Sequence, residues 1–210
     1  MPSPHAPFAR AVFINCPFDD EYWPLFEAMV FTVVACGFEP RCALEEVDSG
    51  AVRLQKILRI IRACRLGIHD LSRIELAPSN RLPRFNMPFE LGLDIASREF
   101  GARTLKKKRH LVLDAEPYRY QAFISDISGQ DIRCHEGSPD RVVDVIRNWL
   151  RTMSHGRAVA GPVAIKRQFR AFTLSLPENC ARNGLDQEDL LFVEYVELAT
   201  LWLATANAKS

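Results

Sequence analysis

Apolar residues along this chain follow two alternating rhythms, a short dense run and a helical stripe, and the alternation itself indicates a fold class. Ala11 to Cys16 is a β-branched and aromatic run that stops at Pro17, as a buried strand entering a loop does. Asp19 or Asp20 can then cap a helix from Glu21 to Cys36, in which Phe26, Met29, Val30, Val33 and Val34 recur at helical spacing before Gly37 ends it. Phe38 to Leu44 reads as a second strand, and Pro40, with no N–H to donate, puts it near a sheet edge. Beyond a turn at Asp48-Ser49-Gly50, Leu54, Ile57, Leu58, Ile61 and Cys64 stripe one face of a second helix. Arg53, Lys56, Arg59 and Arg62 face away from it, most simply as a solvated surface.

Leu66 to Leu71 predicts a third strand, which runs into a polar, proline-containing loop through Arg84 and then a helix from about Pro88 to Phe100. His110 to Asp114 is a fourth strand and Ile132 to Cys134 a short fifth. Val142, Val145, Ile146, Trp149 and Leu150 then stripe a helix that Pro139 and Asp140 can start. Strands alternating with helices predict a parallel sheet covered on both faces, and right-handed crossovers leave a flavodoxin-like α/β order, 2-1-3-4-5, as the expectation. In such sheets ligands sit beyond the carboxyl ends of the strands, where the order reverses between strands 1 and 3. The loops Cys16 to Asp20 and Asp70 to Asn86 are therefore expected to meet there.

Residues 1–154 make up this α/β domain, and 155–210 a helical extension that begins with a linker from His155 to Gly161. The extension predicts helices over Val163 to Leu176 and Gln187 to Ala206, separated by Pro177 to Gly184. The second carries Leu190, Leu191, Val193, Tyr195, Leu198 and Trp202, too apolar for a solvated tail. It must bury its face against the domain or against another copy of the chain, so a homo-oligomer is one expectation.

At 210 residues and 23.8 kDa the chain has room for one domain and such an appendage. Twenty-seven basic against 26 acidic residues leave a net charge of +1, which gives no global field to recruit a polyanion such as DNA. Any anionic ligand must be met locally. No run approaches the roughly 20 apolar residues of a membrane span, and the Pro-rich start from Met1 to Pro7 lacks a signal peptide's apolar segment, so a cytoplasmic protein is expected. The six cysteines lie far apart without a zinc spacing and read as reduced core thiols; no metal is expected. There is no Gly-x-Gly-x-x-Gly, which disfavours an ordinary redox dinucleotide cofactor.

Glu90 is the best candidate for a catalytic group. It follows Met87, Pro88 and Phe89 and precedes Leu91-Gly92, a setting in which a carboxylate needs a partner or a function. Asn86 lies four residues before it, on the same face if the helix starts early enough. The bland alternative is that Glu90 caps the helix or pairs with an arginine such as Arg84. His69 adjoins Asp70 on the third strand and points to the opposite face, where a satisfied core histidine is the better reading. Asp126, in the polar stretch Ile124 to Asp131, either closes over a pocket or sits in a surface turn. Tyr118, Arg119 and Tyr120 offer base stacking or core packing.

The order Phe13-Ile14-Asn15-Cys16-Pro17-Phe18-Asp19, then Ile68-His69-Asp70-Leu71-Ser72, then Asn86-Met87-Pro88-Phe89-Glu90-Leu91-Gly92 resembles the TIR-like and nucleoside 2-deoxyribosyltransferase-like families. The likeness spans about Ala11 to Leu150 and leaves the extension unexplained. It implies a flavodoxin-like fold and N-glycosidic chemistry in which Glu90 is the nucleophile or stabilises a ribosyl cation. Asp70 matches the strand-end acid that contacts sugar or base, Asn86 a ligand-side polar group, and Pro17, Phe18 and Asp19 the first-loop lining. Arg53, with Arg41, flanks the acidic segment Leu44 to Gly50, which departs from a phosphate-binding loop.

Several functions follow from the resemblance. One is cleavage of NAD, a substrate here rather than a cofactor, in bacterial stress or phage defence with activation by assembly. Another is nucleoside deoxyribosyl transfer or hydrolysis. The chemistry is coherent, because a carboxylate near C1′ stabilises the oxocarbenium-like state. Nicotinamide leaves NAD as a neutral base, whereas most nucleosides need a general acid, for which Asp19 or Asp70 must have a raised pKa. A different class remains, a module of the same fold that binds a nucleotide signal or a protein without catalysis.

Overall fold

Every residue of β1 (Ala11–Asn15) is buried, which explains why its side chains are apolar on both faces until the polar Asn15 at its carboxyl end. In the computed structural model, which describes residues 8–46, 50, 52–74 and 84–208, this strand is flanked by β2 (Glu39–Arg41) and β3 (Leu66–Asp70). β4 (Arg109–Asp114) and β5 (Arg133–Cys134) complete an all-parallel sheet of order β2-β1-β3-β4-β5. The flavodoxin-like arrangement is thus present, with Pro40 on the edge strand where its missing donor costs least. The expected start through Pro7, the turn residues Asp48 and Ser49, and much of the loop before Asn86 lie outside the described residues.

Helices cover both faces. On one side α1 (Trp23–Ala35) and α4 (Pro139–Met153) pack over Val12, Ile14, Ile68, Leu111 and Leu113. On the other, Ile57, Ile60 and Ile61 of α2 (Arg53–Ala63) meet Ala11 and Phe13, while Met87 and Leu91 of α3 (Asn86–Phe100) meet Leu71 and Val112. α4 starts as its sequence indicates, with Pro139 in the first turn and the Ser138 hydroxyl accepting from the Arg141 amide. The six cysteines are free thiols, and all but Cys134 are buried.

The extension forms α5 (Pro162–Arg182) and α6 (Phe192–Ala208), and its apolar face lies on the α/β domain of the same chain. Phe31 of α1 stacks on Phe172 at 5.3 Å between ring centroids, and Trp202 stands edge-on to both rings. Among the described residues no helix is long and apolar enough to cross a membrane.

β2 is shorter than expected and α1 starts two residues later, and three further boundaries shift for identifiable reasons. Pro177 does not break the extension, because Ile165, Phe169, Phe172, Leu176 and Cys180 form one buried stripe that runs past it while Pro177 itself faces solvent. Burial of four large apolar side chains outweighs the roughly 3 kcal/mol that proline costs inside a helix. α6 starts at Phe192 rather than Gln187, since the Asp186 carboxylate accepts from the Glu188 amide in a local turn and the Glu194 carboxylate caps the amide of Leu191. α3 starts at Asn86, two residues before Pro88, which leaves that proline in the first turn where its missing N–H costs nothing. Replacing Pro177 with alanine should therefore raise the unfolding free energy by about 1–2 kcal/mol, read from urea denaturation; a lower midpoint would contradict this account of α5.

Candidate functional site

Asn15 and His69 are register partners at the carboxyl ends of β1 and β3, so the two strands end side by side where the sheet order reverses. Asp70 follows His69 and faces the α1 side, as strand alternation requires. Its carboxylate is fully buried and fully engaged. It accepts the Tyr22 hydroxyl at 2.7 Å and the Ser72 amide at 2.7 Å, and His135 Nε2 lies 2.9 Å away. His135 Nδ1 accepts from the Gly137 amide, which leaves the ring proton on Nε2, close to Asp70 but without hydrogen-bond geometry towards it. Burial pushes the Asp70 carboxyl up, but His135, Ser72 and Tyr22 together outweigh it and hold it below the ordinary range. A carboxyl so held is not a general acid at neutral pH, which removes that role for Asp70.

On the opposite face, α3 buries four positions, Met87, Glu90, Leu91 and Asp94, and two of them are carboxylates. Asp94 is compensated. Lys108 Nζ, itself fully buried, lies 2.9 Å from one oxygen, and His69 Nε2 and His110 Nε2 lie 3.0 and 3.3 Å from the other. Lys108 also donates to the carbonyls of Ile61, at 2.7 Å, and Cys64. These partners overcome burial and hold the Asp94 carboxyl well below the usual carboxylate range. His69 stays neutral because desolvation lowers its pKa more than Asp94 raises it. Its Nδ1 accepts from the Asn15 amide at 3.0 Å, so its Nε2 carries the proton offered to Asp94, and both ring nitrogens of this core histidine are partnered. Gly67 is needed here, since a Cβ at that position would overlap Asp94 Oδ2.

Glu90 is not compensated in this way. It is 6% exposed, and among the described residues no hydrogen bond or ion pair reaches its carboxylate. Arg84 pairs with Asp19 instead, so the alternative of a Glu90–Arg84 pair does not hold. Burial pushes Glu90 up to about 7, opposed only partly by the charge of Arg53 at the start of α2, and its own charge reaches Cys16 at the end of β1. The carboxyl group thus exists in both protonation states near neutrality, beside the strand ends.

No family model, curated protein or solved structure matches the chain.

The other expected site residues divide. Asp19 ties the two loops together, accepting from Arg73 at 2.9 Å, Arg84 at 2.8 Å and the Tyr22 amide at 3.1 Å. With both oxygens so occupied it does not fit the alternative general-acid role. Pro17 is buried, and half-buried Phe18 stands edge-on to Phe26 at 5.4 Å. Asn86 heads α3 and is exposed, a turn above Glu90 on the same helical face. Arg53 is exposed but electrostatically in reach of Glu90. Asp126 is exposed in a short 3-10 turn of the β4–β5 connection. Arg119 is engaged with Asp114 and the Leu71 carbonyl, and Tyr120 is core. Arg41 pairs with Glu45 in the acidic segment after β2 rather than standing open to a phosphate.

Sequence reasoning missed Asp94, whose signal was its place one turn beyond Glu90 on the stripe of Met87 and Leu91. Lys108, in a run of three lysines, reads as solvated until the fold is known. Glu27 was also missed. Burial pushes it up to about 7 against the Trp23 N–H, and it lines a cavity of about 690 Å³ with Trp23 and Tyr195, between α1 and the start of α6. A second cavity of about 600 Å³ runs along the open edge of β4 beside Trp149. Neither cavity is lined by Glu90. Among the described residues no cluster of His, Cys, Asp or Glu could hold a metal ion.

Because native Glu90 keeps a proton that the unfolded chain has released between pH 4.5 and about 7, stability falls as pH rises through that window. Glu90→Gln should therefore be more stable than wild type above pH 8, by on the order of 3 kcal/mol, and nearly equal to it at pH 4. Urea denaturation at the two pH values checks this, and equal stabilities at pH 8 would show that the carboxylate carries no burial cost.

Proposed function

We propose that the protein cleaves or transfers at the N-glycosidic bond of a nucleotide, with NAD as the preferred substrate class and Glu90 as the carboxylate that meets the ribosyl cation. The observation that supports this most is the contrast on α3. Asp94 is neutralised by its neighbours, whereas Glu90, a turn away at the switch-point end of the sheet, has no such partner among the described residues. Carboxyls with raised pKa values concentrate at functional sites, and Glu90, unlike the similarly shifted Glu27, stands beside the strand ends.

The state of the other acids narrows the substrate. Asp70 is held ionised and Asp19 is occupied by two arginines, so neither supplies the proton that most nucleoside bases need on leaving. If Glu90 supplied that proton, it could not act as a carboxylate in the same step. NAD avoids the conflict. When its C1′–N bond breaks, the electron pair goes to the nicotinamide nitrogen and cancels its positive charge. The cation left on C1′ and the ring oxygen is stabilised by Glu90 or bonds to it, until water adds to C1′ and releases a proton.

A role in bacterial stress or phage defence, in the cytoplasm, belongs to this proposal through the resemblance of the three motifs. So does activation by assembly, for which exposed Leu174 of α5 and Leu201 of α6 are apolar positions left over. A second reading, a module that binds a nucleotide without cleaving it, draws support from the near-complete burial of Glu90. It predicts NAD binding with no base release.

The test is nicotinamide release from NAD by wild type, Glu90→Gln and Glu90→Ala. Both variants should be slower by about 10²–10³-fold, the scale of losing one electrostatic stabiliser. Wild-type kcat/KM should rise about tenfold per pH unit up to the Glu90 pKa near 7 and then level. Equal rates in wild type and Glu90→Gln would refute the role of Glu90, and a rate that falls above pH 7 would make it a proton donor instead.

A further inference from the structure

The first turn of α3 is held by a side chain from β1. The Asn15 amide nitrogen donates to the Met87 carbonyl at 2.9 Å and faces His69 Nδ1 at 3.0 Å, so one amide group spans from the end of β1 to both β3 and α3. His69 passes the connection on, because its other nitrogen meets Asp94, which Lys108 of the β4 segment holds. The chain Met87–Asn15–His69–Asp94 therefore leaves α3 near its start and returns to it further along. The two attachment points lie seven residues apart in sequence, about 10 Å along the helix axis at 1.5 Å per residue. Glu90 lies between them, on the same buried stripe.

Two anchors on one helix do what a single anchor cannot. One contact stops sliding but leaves the helix free to pivot, and two contacts on one face fix both depth and rotation. A shift of α3 by a single residue turns its buried stripe by about 100° and carries Glu90 away from the strand ends. The anchors are also costly to leave. All four groups of the chain are buried, so release leaves the Asn15 amide and a His69 ring nitrogen unpartnered, or the Lys108 charge without its counter-ion.

We propose that Asn15 and Asp94 are positioning residues that clamp α3 on either side of Glu90 and so hold its carboxyl at the carboxyl ends of β1 and β3. Neither is assigned contact with substrate. Their catalytic meaning rests on the N-glycosidic reading, but the clamp itself is a property of the fold and is tested without turnover.

The experiment follows the titration of the glutamate carboxyls by ¹³C NMR in full-length wild type, Asn15→Ala and Asp94→Asn. Glu27, on α1 across the sheet, serves as an internal reference with the same displaced midpoint near 7. Loss of either anchor should let water reach Glu90 and move its midpoint down by about one unit or more towards the ordinary value, while Glu27 stays in place. General loosening of the protein would move both, and an unchanged Glu90 midpoint in Asn15→Ala would overturn the clamp. Should Asp94→Asn fail to fold, Asn15→Ala, which leaves the Asp94–Lys108 pair intact, decides alone.

Where NAD cleavage is present, the clamp predicts that kcat in Asn15→Ala falls about tenfold or more with KM changed less than about twofold. A moved Glu90 midpoint in a protein that cleaves no NAD would uphold the clamp and defeat the N-glycosidic reading. Turnover that needs Glu90 but is equal in wild type and Asn15→Ala would defeat the clamp and leave that reading intact.

Discussion

A carboxylate at full depth between a helix and a sheet is tolerable only where positive charge and hydrogen-bond donors meet it, and Asp94 is met by Lys108 at 2.9 Å and His69 at 3.0 Å, with His110 close by. That one group joins α3 to β3 and to the strand that follows. Lys108, in turn, reaches the carbonyls at the end of α2. Asn15 extends the same network to β1. Three strands and two helices are thus registered against one another at the sheet's α3 face, and Gly67 is bare so that the helix can come close enough. Such a network adds little net stability relative to an apolar packing, and its contribution is to specify one arrangement.

Against that background Glu90 is the exception. It shares the buried stripe of α3 with Asp94 and lacks the same provision among the described residues. The consequence is chemical. Asp94 is held as a permanent anion, a structural charge, while Glu90 is left able to take or lose a proton near neutrality. Asp70, on the other face, resembles Asp94 in its treatment, since Tyr22, Ser72 and His135 occupy it. Of the three acids at the ends of β1 and β3 and along α3, Glu90 alone is left without a partner among the described residues, and the proposed N-glycosidic role draws on that difference.

Much of the fold was legible because it is written in local patterns. The dense runs at Ala11 and Leu66, the stripes of α1, α2 and α4, and the stop at Gly37 each follow from burial and backbone chemistry within a few residues. Pro177 misled for the same reason. Its local cost is real, but the stripe from Ile165 to Cys180 that overrides it becomes visible only once a surface exists to bury it. The site was legible in part. Glu90 stood out by its apolar neighbours and by the resemblance of its segment, and the predicted approach of the first and third loops is present in the Asp19–Arg73 and Asp19–Arg84 pairs. What stayed hidden were the long-range partners. No spacing rule joins Asn15 to Met87, His135 to Asp70 or Lys108 to Asp94, and those contacts decide which carboxylate is neutralised and which is not.

Site-resolved carboxyl titration of the wild-type protein tests this contrast most directly. The account predicts that Asp94 stays ionised down to the acid limit of the folded state, while Glu90 in the same helix titrates near pH 7. A Glu90 midpoint close to that of a free glutamate, or an Asp94 that takes up a proton above pH 4, would contradict it.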